Sequence, residues 1–288
     1  MTAAATNLHL TFLGTGTSSG VPLIACECAV CRSTDPRDSR LRTSAALTFV
    51  DPGGRERVIL IDAGPDLRTQ ALRAGLKRCD AILFTHNHVD HIFGLDEVRR
   101  FNAVQHAPID IFAEDSVHVH LRRVFAHIFD KHQNVNDSFV ASLISRTLIP
   151  AQAFDLFGLT ITPIRLLHGK LPVLGFRIEH AASGPSIPDP QSKVHTLIPL
   201  LPLAYCTDVS AIPPESWPHL RGLNTLVLDA LRYRRHPTHF CFNQSLDVAH
   251  QVKPAQTYFV HMTHDIGHAD AEKELPDNVH LAYDGLIL

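Results

Sequence analysis

The segment Thr85–Gly94 concentrates metal-binding side chains directly after a short apolar stretch. Its sequence, THNHVDHIFG, holds three histidines and one aspartate within six residues and follows the apolar run Ala81–Phe84. Such a run predicts a buried strand, so these polar side chains come just after the strand ends. Neutral imidazole is the commonest metal ligand, and a polar turn that only caps a helix would not need so many of them. The motif therefore predicts a metal site at the tip of a rigid strand, built from His86, His88, Asp90 and His91.

Other segments also place a polar side chain where an apolar strand ends. Taken alone, each is an ordinary capping aspartate or a satisfied histidine. Taken together, they indicate one shared edge of a sheet at which a metal site is built. The residues concerned are Asp62, His168, Asp208 and His261, with His264 following in the turn after His261.

Three cysteines lie close together in the pattern Cys-x-Cys-x-x-Cys, at Cys26, Cys28 and Cys31. They are too tightly spaced to pair easily with one another, and a closed structural zinc site needs four ligands. His264 is the natural fourth ligand, because one turn would then serve both this site and His261. The alternative is three reduced, non-ligating cysteines. We predict a structural Zn²⁺ and a reducing, cytoplasmic compartment.

From Leu13 to Asp284 the chain resembles the metallo-β-lactamase superfamily of two-metal hydrolases. These proteins carry His-x-His-x-Asp-His, then a distant histidine, an aspartate after a strand and a final histidine. The resemblance implies an α/β (α+β) fold, a four-layer αββα sandwich. It also implies two active-site divalent metal ions. One ion would be bound by His86, His88 and His168, the other by Asp90, His91 and His261, with Asp208 bridging.

Further motifs narrow the resemblance. The chain is similar to the phosphoribosyl 1,2-cyclic phosphate phosphodiesterases of the carbon–phosphorus lyase pathway. The motifs that carry this similarity are Gly14-Thr-Gly16, Gly20-Val-Pro22, the cysteine trio and two histidines three residues apart. This resemblance implies Mn²⁺ or Zn²⁺ in the active site and a separate structural Zn²⁺. The implied reaction is hydrolysis of a small, cyclic phosphodiester by a hydroxide that bridges the two metals, which Asp90 could also orient.

The same resemblance implies one more catalytic histidine, ahead of a C-terminal helix. His239 matches that position best, and His236 is the reserve. Such a histidine could protonate the leaving oxygen or stabilise charge at phosphorus. The alternative is a histidine that only caps the helix.

Composition sets the remaining expectations. Hydrophobic residues make up 45% of the 288 residues and charged residues 19%, which predicts a well-packed core. We expect one domain over residues 1–288, interrupted by a Pro- and Ser-rich insertion loop at about 181–202. No secretory signal or membrane-spanning run is visible. The formal charge of −3 and a pI near 6.7 argue against nucleic acid as the substrate, and the resemblance implies a small phosphodiester instead. The sequence leaves open whether the protein forms a homodimer.

Two other functions remain as alternatives. The first is an RNA nuclease of the tRNA 3′-end type, although the chain has no basic, Gly-rich arm to grip tRNA. The second is a non-catalytic accessory protein of the pyrroloquinoline quinone type. Those proteins share the fold and the cysteine loop but lack a complete two-metal ligand set.

The pattern of apolar residues also predicts individual elements. Alternation or apolar runs indicate strands at 8–13, 45–50, 58–61, 81–84, 159–164, 174–179, 203–206, 225–228, 257–261 and 279–283. Helices are expected at 66–74, where Gly75 would follow the last turn, at 117–128 with Asp115 or Ser116 as N-cap, and at 243–252.

Overall fold

The computed structural model describes residues 5–135, 138–181 and 199–288, and its framework is two β-sheets. The first sheet contains β1 (Thr6–Gly14), β2 (Ser44–Val50), β3 (Glu56–Ile61), β4 (Ala81–Leu83), β5 (Ile109–Ala113) and β6 (Leu143–Thr147), in that spatial order. The strands β1 to β3 are antiparallel, and β3 to β6 are parallel. The carboxyl ends of β3, β4 and β5 therefore lie at one edge of this sheet.

The second sheet has the same mixed character. It contains β7 (Phe154–Leu156), β8 (Leu159–His168), β9 (Leu171–His180), β10 (Leu203–Cys206), β11 (Thr225–Asp229), β12 (Gln256–Val260) and β13 (Val279–Leu281). Strands that are neighbours in this sheet are also consecutive in the chain. The strands β7 to β10 are antiparallel and β10 to β13 are parallel, so β10, β11 and β12 also end at a common edge.

Helices cover the outer faces of both sheets. They are α1 (Leu67–Arg73), α2 (Val89–Ile92), α3 (Arg99–Gln105), α4 (Asp115–Val124), α5 (Ala126–Phe129), α6 (Phe242–Val252) and α7 (His268–Glu272). Short 3-10 turns occur at Pro36–Asp38, Leu95–Val98, Lys131–Gln133 and Pro214–Leu220. Within the described ranges, no helix has the length and apolar character needed to cross a membrane.

Strand periodicity explains the layers. In β3, Ile59 and Ile61 join the core between the two sheets, whereas Val58 and Leu60 face the helices α1, α3 and α4. Side chains alternate along a strand, so a strand that is apolar at every position must be covered on both faces. A third cluster packs the outer face of the second sheet against α6 and α7. The predicted four-layer αββα arrangement is confirmed.

The structure corrects several expectations about single elements. The predicted continuous helix at 117–128 is wrong, because the backbone leaves the helical conformation at Phe125, whose ring is buried against Phe93. The N-cap of α4 is Glu114 rather than Asp115 or Ser116. The strands β5, β6 and β7 were not expected. Most of the predicted insertion loop, residues 182–198, lies outside the described residues.

Candidate metal centre

The motif Thr85–Gly94 forms the turn after β4 and the short helix α2, and Asp62 holds it in place. The backbone N–H and the hydroxyl of Thr85 both donate hydrogen bonds of 2.8 Å to the Asp62 carboxylate. His91 Nδ1 donates to the same carboxylate at 2.7 Å. Burial raises the pKa of Asp62. However, three donors face its two oxygens, and only an ionised carboxylate accepts from all three, so Asp62 is ionised in this arrangement. The proton of His91 therefore lies on Nδ1, which leaves Nε2 to face the site.

The first group of side chains that could hold a metal ion contains His86, His88, His168 and Asp208. One ligand atom from each lies within 4.8 Å of the others. His168 stands at the end of β8, and its Nδ1 donates to the Thr238 carbonyl at 2.6 Å, so that its Nε2 is the free nitrogen. The structure thus brings together residues that are up to 122 positions apart in the chain, from His86 to Asp208.

The second group contains Asp90, His91, His261 and again Asp208. His91 Nε2 lies 3.2 Å from Asp90 Oδ2 and 3.3 Å from Asp208 Oδ1. His261 Nε2 lies 3.3 Å from Asp208 Oδ2. Asp208 is therefore shared between the two groups, which is the arrangement that the family resemblance implies.

The histidines of the centre fall into two sets, one with lowered and one with raised pKa. Burial lowers the pKa of His86, His88 and His168, which keeps these imidazoles neutral, the form that binds metal. Burial acts in the same direction on His261, but the charge of Asp208 outweighs it and raises the pKa of His261 to about 8. The pKa of His91 also rises, well above its usual value, for the same reason. The cluster therefore attracts positive charge, which either protons or metal cations can supply.

The donor atoms fit divalent metal ions. Among the described residues, His86 Nε2, His91 Nε2 and both ring nitrogens of His261 are buried and make no hydrogen bond. Leaving buried polar atoms unpaired costs free energy, so most such atoms in proteins have a partner. A cation at about 2.0–2.2 Å from imidazole nitrogens and carboxylate oxygens would supply that partner.

Three residues around this centre have left-handed backbone conformations. The φ angles are +61° at Asp62, +55° at Asp208 and +63° at His261. Each residue comes at or just after the end of a strand, at β3, β10 and β12 respectively. The backbone thus turns sharply where each side chain joins the centre.

His239 and Asp229 stand beside the two groups. His239 Nδ1 donates to Asp229 Oδ2 at 2.7 Å, and the His239 ring centroid lies 4.4 Å from that of His168 and 4.7 Å from that of His261. His236 is 5.3 Å from His239 between ring centroids and hydrogen-bonds to Thr238 instead. The sequence reasoning missed Asp229, although Asp229 ends the apolar strand β11 and so carries the signal that pointed to Asp208.

The cysteine loop meets the turn after β12. His264 Nδ1 lies 3.2 Å from Cys26 Sγ, 3.4 Å from Cys28 Sγ and 3.6 Å from Cys31 Sγ. Tetrahedral zinc with bonds of about 2.0–2.3 Å would space a nitrogen and a sulfur ligand by about 3.5 Å. The predicted set of four is therefore assembled with separations that suit zinc.

A buried arginine fixes the turn that carries His264. Arg40 is fully buried and donates to the carbonyl oxygens of Thr263 at 3.1 Å and Ile266 at 2.8 Å. Its partner Asp38 also accepts from the backbone N–H of His268. The position of His264 thus depends on a buried charged network as well as on the cysteines.

Comparison with known proteins agrees with this geometry. Residues 57–262 match the family model of the beta-lactamase superfamily domain. The chain belongs to the metallo-β-lactamase superfamily. An octanoyltransferase of Porphyromonas gingivalis is 35% identical over 279 residues, which are 95% of this chain and 50% of that protein. The chain spans about half the length of the curated relatives it matches.

Solved structures support the same assignment. A new diphosphatase from the PhnP family is 38% identical and superposes with a TM-score of 0.82, over 98% of this chain and 96% of that one. Zn²⁺-bound PqqB from Methylobacterium extorquens is 20% identical with a TM-score of 0.71, over 97% and 99% of the two chains, which shows a common fold alone. The predicted metallo-β-lactamase family is confirmed, and the chain is related to the PhnP family.

Proposed function

We propose that the protein is a metal-dependent hydrolase that cleaves a small phosphodiester, with a cyclic phosphodiester as the first candidate. One observation carries the proposal. Two groups of ligand atoms share Asp208 and include buried nitrogens that have no hydrogen-bond partner among the described residues. Both groups lie beside His239, which is hydrogen-bonded to Asp229. Two divalent cations, Mn²⁺ or Zn²⁺, would lower the pKa of a water and neutralise charge on a phosphoryl oxygen.

The chain's own residues would divide the remaining work. Burial alone would raise the pKa of Asp90, but the charge of the neighbouring His91 outweighs burial and lowers that pKa, so Asp90 stays ionised and can orient an attacking water. His239 donates from Nδ1 to Asp229, so its Nε2 is left to face the site. When both ring nitrogens are protonated, Nε2 can hand its proton to a leaving oxygen, and the ring returns to the neutral form with the proton on Nδ1. His236 has no such carboxylate contact, which favours His239 for this role.

A second substrate class has specific support. The PhnP-family structure that is 38% identical over nearly the whole chain is named a diphosphatase. A diphosphate bridge also reacts at phosphorus and releases an oxygen that needs a proton or a cation. We therefore propose substituted diphosphates as the alternative to cyclic phosphodiesters.

The test is a panel of substrates presented to purified protein loaded with Mn²⁺ or Zn²⁺. The panel contains a ribose cyclic phosphodiester, a linear phosphodiester, a substituted diphosphate, a thioester, a lactone and precursor tRNA. We expect hydrolysis of one of the first three and loss of that activity in Asp208→Ala. Cleavage of precursor tRNA alone would favour the nuclease alternative. A complete lack of turnover, with about one metal ion per chain, would favour the accessory protein.

We also propose that Cys26, Cys28, Cys31 and His264 bind a structural Zn²⁺. Cys28→Ser removes one thiolate from the set, so zinc content should fall by about one ion per chain and the thermal midpoint should drop. Cys79→Ser is the matched control, because Cys79 is buried elsewhere in the core. Unchanged zinc content in Cys28→Ser would contradict this proposal.

A further inference from the structure

Asp229 is the last residue of β11, and only one of its two carboxylate oxygens is occupied. Oδ2 accepts the 2.7 Å hydrogen bond from His239 Nδ1 and another of 2.7 Å from the backbone N–H of Val209. Oδ1 is buried and accepts no hydrogen bond within the part of the chain that the structure describes. A buried carboxylate oxygen without a donor is rare, so a neighbouring group should use it.

The neighbouring group is the imidazole of His261. One ligand atom each from Asp229, His239 and His261 lies within 4.8 Å of the other two. The His239 and His261 rings are nearly parallel, with an interplanar angle of 16° and centroids 4.7 Å apart. Both therefore stand side by side near the same carboxylate.

The two nitrogens of His261 have different surroundings. Nε2 lies 3.3 Å from Asp208 and 3.7 Å from Asp90, on the side of the candidate metal ions. Nδ1 is buried and has no partner among residues 5–135, 138–181 and 199–288. An N–H at Nδ1 and the free oxygen of Asp229 are thus a donor and an acceptor that can satisfy one another, directly after a small shift or through one water.

We propose that Asp229 is a positioning residue for two imidazoles at once, the candidate proton donor His239 and the candidate metal ligand His261. The roles of these two histidines rest on the proposed function. An ionised carboxylate keeps a proton on the nitrogen that faces it, so Nε2 of each ring is directed toward the metal ions and the substrate. The buried charge of Asp229 would thereby influence both the affinity of the centre for metal ions and the orientation of the candidate proton donor His239.

A simpler explanation is that Asp229 holds only His239. The two explanations differ in what they predict for metal binding. If Asp229 acts through His239 alone, metal affinity should be the same in Asp229→Asn, in His239→Ala and in the parent protein. If Asp229 also positions His261, affinity should fall in Asp229→Asn but not in His239→Ala.

The experiment measures Mn²⁺ and Zn²⁺ affinity of the full chain by competition with a chromophoric chelator, for the parent and both variants. We expect Asp229→Asn to weaken binding of one ion about 10–100-fold. Asp80→Asn is the control, because Asp80 is a buried carboxylate that contacts Arg57 and Arg78 rather than the metal centre. Equal affinities in Asp229→Asn, His239→Ala and the parent would overturn the proposal.

A measurement on the parent protein covers the case in which Asp229→Asn does not fold. Long-range ¹H–¹⁵N spectra of the metal-free protein, recorded at a pH above the pKa of His261 of about 8, report which nitrogen of each neutral imidazole carries the proton. We expect protonated Nδ1 in both His239 and His261, and protonated Nε2 in His261 would overturn the proposal. Neither readout requires turnover, so a failure of the proposed function would appear separately, as inactivity of a parent protein that binds metal normally.

Discussion

The contacts of Asp62 make a sharp prediction about metal binding at the second group of ligands. In Asp62→Asn the amide oxygen can still accept from the Thr85 N–H, but the amide NH₂ then faces His91 Nδ1. Two N–H groups cannot share one hydrogen bond, so His91 would move its proton to Nε2. That nitrogen would lose the lone pair with which it faces Asp90 and Asp208.

The size of the effect follows from these contacts. To bind metal, His91 in this variant would have to return its proton to Nδ1, where it would face the amide NH₂. One buried N–H would then lack an acceptor, which costs about 1–3 kcal/mol. Since each 1.4 kcal/mol is about a tenfold change in a binding constant, affinity at the second group should fall about 10–100-fold. The first group does not contain His91 and should keep its affinity.

The assay is a chelator competition with Mn²⁺, paired with urea unfolding of the metal-free protein. The unfolding experiment shows whether the variant keeps its fold, and Asp80→Asn again provides a buried Asp-to-Asn change away from the centre. If Asp62→Asn folds and binds two ions as tightly as the parent, the assignment of the His91 tautomer is wrong.

Further predictions follow from other contacts. His88 lies exposed at the rim of the centre, so His88→Ala should lower turnover by at least about 100-fold without lowering the free energy of unfolding. A Cβ at Gly64 would lie 1.9 Å from the Asp90 carbonyl oxygen, so Gly64→Ala should destabilise the protein by about 1–3 kcal/mol. Gly267→Ala should not, because the atom nearest to a Cβ there is Cγ2 of Val30, at 3.7 Å. Burial alone would raise the pKa of Asp80, but hydrogen bonds from arginines and a backbone N–H lower it. Its contribution to stability is therefore present above the unfolded pKa of about 3.9 and lost as the pH falls below it, so acid unfolding should be less steep in Asp80→Asn than in the parent.

Residues that follow apolar strands could be predicted well from the sequence. The segments before His86 and Asp208 are buried on both faces, and those before His168 and His261 are mostly buried, so all four are largely apolar runs that end in polar residues. That contrast reveals both the strand and the side chain at its end. All seven expected ligands come together in the structure, although their role in binding metal stays a proposal.

The missed elements lack that contrast. The edge strand β6 has an alternating pattern of partly buried and exposed residues, because none of the described strands pairs with its outer side. Its apolar signal is therefore weak. The break at Phe125 depends on the ring of Phe93, which is distant in sequence and gives no local sign. Asp229 was missed although it ends the apolar strand β11 in the same way as Asp208 follows β10, and the sequence gives no sign of its 2.7 Å contact with His239.

The positive φ angles at Asp62, Asp208 and His261 have a consequence for how this fold can change over time. A left-handed conformation costs a residue with a Cβ atom about 1–2 kcal/mol relative to glycine, and aspartate tolerates it better than histidine. A chain released from the need for chemistry could therefore gain stability by placing glycine at Asp208 and His261, whereas glycine at Asp62 would leave three buried donors without an acceptor. The proposed chemistry and stability therefore compete at these two strand ends, and a descendant that lost activity should show glycine there first.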